Sequence, residues 1–151
     1  MTATNHALAG ALIGLIVGNL WVALPVAVAS HFVCDAIPHF GTPGKKLSQS
    51  YITGRYLATE MALCTLLVVV LAWQRPDHWL LASICAFLAT SPDFMWLPQF
   101  LRARRRQPEP KTRPLALRFH SRIQWFQRPI GAVVEVTWLV AATICLGQFL
   151  R

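Results

Sequence analysis

Charge is what this chain has least of. Only 13% of its residues are Asp, Glu, Lys or Arg, against about 25% in an ordinary soluble domain. Acid is the scarcer sign, with six Asp+Glu against 14 Lys+Arg and a formal net charge of +8. No Lys or Arg precedes Lys45. The apolar start therefore lacks the basic n-region of a secretory signal and is expected to stay in the mature protein. There is no C-x-x-C pair and no H-E-x-x-H. Cys34, Cys64, Cys85 and Cys145 all sit in apolar runs. They read as small buried or lipid-facing side chains, not as disulfides or zinc ligands. No repeat of the roughly 20–50-residue kind is visible. Together these absences exclude a disordered chain and a disulfide scaffold, and they fit an ordinary soluble globule poorly.

What is present is apolar. Hydrophobic residues make up 55% of the 151, and mean hydropathy is +0.46. A membrane-spanning helix needs about 20 mostly apolar residues. Residues 56–74, 79–101 and 130–150 meet this, each with one charge inside: Glu60, Asp93 and Glu135. Residues 6–37 are too many for one helix. Gly18, Asn19, Trp21 and Pro25 mark a turn, so two shorter helices are expected, at 5–20 and 24–37. Pro38 ends the second, because the residue before a proline is pushed out of the helical region. The expected fold is all-α: a single polytopic integral membrane bundle of about five helices.

Four connections follow, and the basic residues choose between them. Lys45, Lys46 and Arg55 lie in the second. Arg102, Arg104, Arg105, Arg106, Lys111, Arg113, Arg118, Arg122 and Arg128 lie in the fourth, residues 102–129. Twelve of the 14 basic residues thus fall on one side. By the positive-inside rule that side is cytoplasmic. The expected location is the cytoplasmic membrane, with the N-terminus inside and the C-terminus outside. Expected partners are the bilayer and its anionic headgroups. Nucleic acid is not among them, since topology already accounts for the charge. The stretch 115–126 reads either as a solvated basic loop or as a short helix in the headgroup layer.

Ionisable groups inside membrane helices are costly and point first to function. Eight sit at one membrane level by this topology: His6, His31, Asp35, His39, Glu60, Asp93, His120 and Glu135. His31 and Asp35 share a helix face by their i, i+4 spacing. Asp93 follows Pro92, which should kink its helix. Broken backbone at membrane depth is tolerated where it lines a cavity or is buried in protein. Thr90 and Ser91 can cap the freed backbone groups. Imidazoles and carboxylates converging from several helices suit Zn, Mn or Fe. Plainer readings stand beside this one. His6 fits an interfacial histidine, His39 a turn residue, and His31–Asp35 a helix-end ion pair. Glu60 and Glu135 fit carboxylates near helix starts, favoured by the dipole.

The order of these residues resembles a known family. Thr4-Asn5-His6 is followed by Gly10 and Gly14, then by Asp35-Ala36-Ile37-Pro38-His39, Ser91-Pro92-Asp93 and Phe119-His120-Ser121. This resembles the YdjM-like membrane-bound metal-dependent hydrolases. Asp35 and His39 are four apart around a proline, and no Asp-His follows Asp93, unlike the family's acidic segment. His6, Asp93 or Asp35, and His120 carry over best. Glu60 and Glu135 match no family motif. The stretch SHFVCDAIPHFG also resembles short membrane proteins of ultrasmall bacteria, which implies no activity.

The expected function is a metal-dependent hydrolase cleaving a phosphoester or ester of a lipid-linked substrate at the cytoplasmic face. His6, His31, Asp35, His39, Asp93 and His120 are candidate ligands, with zinc the first choice of metal. Glu60 or Glu135 is a candidate general base, and Ser121 a candidate nucleophile beside His120. Arg122 and Arg128 are candidate phosphate holders. Two alternatives stay open: a small ion or proton carrier, and an assembly subunit whose buried polar set locks its helices together.

Overall fold

The computed structural model describes residues 1–40, 50–108, 110 and 112–151. Lys45, Lys46 and Lys111, counted above among the loop charges, lie outside the described residues. Helix α1 (Ala3–Val17) opens on Thr2, whose hydroxyl accepts from the Asn5 backbone N–H at 3.3 Å. It closes on Gly18 in the left-handed region, φ 63°. Asn19 then caps α2 (Leu20–Ala36), accepting from Trp21 N–H at 3.0 Å and from Val22 N–H at 3.4 Å. A start near residue 24 was expected from Pro25. The cap wins, because Pro25 sits early in the helix and removes a single i−4 bond. At the other end Ile37 is extended (φ −81°, ψ 162°), as a residue before proline must be.

Helix α3 (Ser50–Gln74) is followed by α4 (Trp79–Thr90), a 3-10 segment (Ser91–Trp96) and α5 (Leu97–Arg104), which run on without a break. Then come α6 (Leu115–Ile123) and α7 (Gly131–Phe149). The chain is all-α, and there is no strand among the described residues. Among the described residues there are six continuous helical runs, not the five expected. The sixth is α6, which lies inside the basic segment.

Three runs are long and apolar enough to cross a membrane: Gly54–Gln74, Trp79–Arg104 and Gly131–Phe149. Helices α1 and α2, with 15 and 17 residues, extend about 22 and 25 Å, short of a hydrocarbon layer of about 30 Å.

Helix α1 is the centre of the bundle, packed by α2, α3, α4 and α7. Its small side chains allow this. A Cβ at Gly10 would lie 2.2 Å from the Cys85 carbonyl oxygen, and one at Gly14 would lie 2.4 Å from Ala82 Cα. The α1–α4 contact is thus backbone against backbone, the small-residue packing of membrane helices.

The burial pattern is inverted relative to a soluble globule. His6, His31, Asp35 and His120 are at 0% exposure, whereas Trp21 and Trp73 are at 83% and 84%. Apolar Leu66, Val69, Phe87, Val136, Val140 and Ile144 also face outward. Last, residues 39 and 127 form a bridge, with Arg128 N–H donating to His39 O at 3.0 Å. That contact ties the end of α2 to the approach to α7.

Candidate metal centre

The 3-10 stretch that begins at Ser91-Pro92 sets up the site. In a 3-10 turn residue 92 would donate its N–H to Ala89 O, and a proline has none. The Leu88 carbonyl is covered by the Ser91 hydroxyl at 2.9 Å, and Phe87 O by the Thr90 hydroxyl at 2.8 Å. The Ala89 carbonyl instead faces His31 Nδ1 at 2.8 Å. A carbonyl only accepts, so His31 Nδ1 must be the protonated nitrogen. In the neutral ring Nε2 is then a bare lone pair aimed into the cluster.

His120 is oriented in a similar way. Its Nδ1 sits 3.3 Å from Met95 Sδ, and its Nε2 turns inward. The two inward nitrogens are 3.1 Å apart. Asp35 Oδ2 lies 2.8 Å from His120 Nε2 and 3.4 Å from His31 Nε2. Asp93 Oδ1 lies 3.7 Å from His31 Nε2 and 4.0 Å from His120 Nε2. A tetrahedral site with bonds of about 2.1 Å has ligand–ligand edges of about 3.4 Å. The observed separations bracket that value. His31, Asp35, Asp93 and His120, all within 4.8 Å of one another through one atom each, could hold a metal ion. Three of them are closed off at 0% exposure, while the Asp93 side chain is 31% exposed. The group therefore opens to its surroundings on the Asp93 side.

His6 supports this group from behind. Its Nε2 is 3.1 Å from Asp35 Oδ1, and its ring stacks on His31 at 4.1 Å. The terminal ammonium of Met1 also reaches Asp35 Oδ1. Gln124, just beyond α6, donates to Asp35 Oδ2 at 3.0 Å.

The other residues singled out in the sequence are placed elsewhere. Glu60 Oε2 accepts from both the N–H and the hydroxyl of Thr4, each at 2.8 Å, covering an orphan donor in the first turn of α1. Glu135 is buried, and the Phe40 backbone N–H bonds to its carboxylate. Its carbonyl accepts from Asn5 Nδ2 at 3.2 Å. His39 donates from Nδ1 to Ile37 O at 2.9 Å, and burial holds its imidazole below the usual range. Ser121 Oγ donates to Leu117 O at 2.7 Å on its own helix. Arg122 is exposed on the outer side of α6. The Arg128 guanidinium lies over the Phe126 ring at 5.6 Å.

Sequence reasoning missed Gln124, Met95 and the Ala89 carbonyl. Gln124 carried a usable signal, its i+4 spacing from His120. Compared with family models, curated proteins and solved structures, the chain matches none of them.

Proposed function

We propose that this chain is a membrane-embedded metal-dependent hydrolase of the YdjM-like kind, acting on a lipid-linked phosphoester or ester at the cytoplasmic face. One observation carries the reading. Two imidazoles on different helices present Nε2 atoms 3.1 Å apart, with both Nδ1 atoms already occupied by Ala89 O and Met95 Sδ. That is how ligating histidines are held: the outer nitrogen donates to a partner, and the inner one keeps its lone pair. Two carboxylates complete a set of four, of the nitrogen–oxygen type that suits zinc, manganese or iron. Zinc is the first choice. A divalent metal supplies a water of lowered pKa and a Lewis acid for an ester or phosphoryl oxygen.

The residues then divide by position. His31, His120 and Asp35 hold the buried side. Asp93 stands at the open side, where water and substrate enter. His6 and Gln124 fix the carboxylate of Asp35. Glu60, whose carboxylate is engaged by Thr4, stands apart from this set. An apolar hollow of about 280 Å³, lined by Ile37, Val133, Val134, Thr137, Trp138 and Ala141, lies two residues beyond Asp35 along the chain. It suits an acyl chain.

The orientation proposed is N-terminus inside and C-terminus outside. Gly18 and Asn19 turn the chain straight back after α1, so the first two helices return it to the side it started from. Three spans then follow, and the orientation does not depend on how deeply α1 and α2 reach.

The assembly reading rests on the direct His6–Asp35 and His120–Asp35 contacts, which pair the polar groups without a metal. Metal content by mass spectrometry on detergent-purified protein decides between them. About one ion per chain is expected in the wild type, and a large loss in Asp35→Ala and His120→Ala variants checked for folding. No bound metal after incubation with Zn, Mn and Fe refutes the hydrolase.

A further inference from the structure

Helix α6 joins two membrane-length runs, Trp79–Arg104 and Gly131–Phe149. It must therefore lie at a membrane face. Its two sides differ sharply. Leu117 and His120 are buried, and Gln124 continues that side with its bond to Asp35. The opposite side carries Leu115 at 78% exposure and Phe119 at 58%, with exposed Arg118 and Arg122 between them. Trp125, just past the helix, is 71% exposed. Cationic and aromatic side chains on one face of a short amphipathic helix suit the headgroup layer.

Among the described residues the arginines of this face have no acidic counterpart. Arg102, Arg104, Arg105, Arg106, Arg118, Arg122 and Arg128 form no ion pair among the described residues. The carboxylates of Asp35, Glu60 and Glu135 are committed in the interior. At a membrane face the complement that fits this charge is anionic lipid.

Helix α6 also holds on to the body narrowly. Phe119 and His120 meet the Phe32 ring edge-on, both at 5.8 Å, and Trp96 meets His120 at 5.7 Å. Buried Leu117 packs on the same side, and the polar ties are those of His120 to Asp35, His31 and Met95 and of Gln124 to Asp35. One metal-ligand candidate thus rides on a short helix held along one side, whose other face fits anionic headgroups.

We propose that α6 docks on the anionic surface of the cytoplasmic leaflet, and that this contact holds His120 in the metal centre. The inference rests on the metal-site reading above and deepens it: the bilayer becomes a partner that tightens the site. Linkage requires the converse too, so the metal tightens the hold of α6 on anionic lipid.

The test uses the full chain in nanodiscs of phosphatidylcholine alone, or with about one third phosphatidylglycerol. Zinc affinity is read by competition with a chelating dye, and hydrogen exchange is followed over residues 115–126. We expect zinc to bind about tenfold tighter in the anionic discs, with slower exchange over that segment. The double variant Leu115→Gln/Arg118→Glu, changed only on the outer face, should lose the lipid dependence and bind zinc in neutral discs as the wild type does. Equal zinc affinity in the two discs overturns the proposal, whatever the exchange shows, and leaves the metal reading standing. No zinc binding in either disc refutes both.

Discussion

Replacing Gly10 by alanine adds a single methyl group, yet it should damage a site whose ligands it does not touch. The added Cβ would lie 2.2 Å from the Cys85 carbonyl oxygen, 2.7 Å from its carbon and 2.8 Å from Ala89 Cβ. Ordinary contact begins at 3.4 Å. Because the obstacle is backbone, no rotamer change relieves it, and α1 and α4 must part by about 1.2 Å. Overpacking of this kind costs about 1–3 kcal/mol, and a backbone clash belongs at the upper end. At roughly 2–4 °C per kcal/mol for a chain of this size, the expected fall in Tm is about 6–12 °C. The displacement lies beside Ala89, whose carbonyl orients His31, and α1 also carries His6. A site loosened by about 1 Å loses function, so zinc affinity should drop tenfold or more. Gly147→Ala is the control. Nothing lies within 4 Å of its Cβ position, and alanine is favoured over glycine in a helix by about 0.5–1 kcal/mol. Thermal unfolding in detergent and zinc titration read both variants. Gly10→Ala with the Tm and zinc affinity of the wild type would refute the packing argument.

Three further outcomes are expected. Pro92→Ala restores an N–H that can bond to Ala89 O in competition with His31, so metal affinity should fall about 10–100-fold while the helix itself gains stability; an unchanged zinc titration would contradict this. Glu60→Ala leaves the Thr4 N–H and hydroxyl without their acceptor, lowering stability by about 1–3 kcal/mol with no change in metal stoichiometry, whereas a loss of bound metal would place Glu60 in the site. Metal binding should weaken as pH falls, because His31 and His120 must be deprotonated to ligate; dye competition at stepped pH checks the sign, and affinity that rises on acidification would exclude imidazole ligands.

The sequence marked which helices carry the polar residues better than it marked their direction. Length and hydropathy marked the long helices, and Pro92 inside an apolar run marked where the helix changes to 3-10 geometry. The i, i+4 spacing of His31 and Asp35 put them on one face, and both point into the cluster. Glu60 and Glu135 were expected at the same membrane level, but they face Thr4 and Phe40. A level along the membrane normal says nothing about rotation around each helix axis, and that rotation decides which groups meet. The start of α2 was misplaced because a proline is conspicuous and an Asn cap is not. The Ala89 carbonyl was invisible for a deeper reason: every residue has a carbonyl, and only the fold shows which one lacks its helical partner.

The central position of α1 has a consequence for the order in which the protein is made. Helix α1 leaves the ribosome before each of the neighbours that must surround it, α2, α3, α4 and α7. Asn5 Nδ2 bonds to Glu135 O at 3.2 Å, and Trp138 Nε1 to Asn5 O at 3.4 Å, both on α7. Those bonds wait until α7 has been synthesised. Until then the polar start of α1 has no finished enclosure, so the newborn chain must hold α1 in reserve and close around it once α7 arrives.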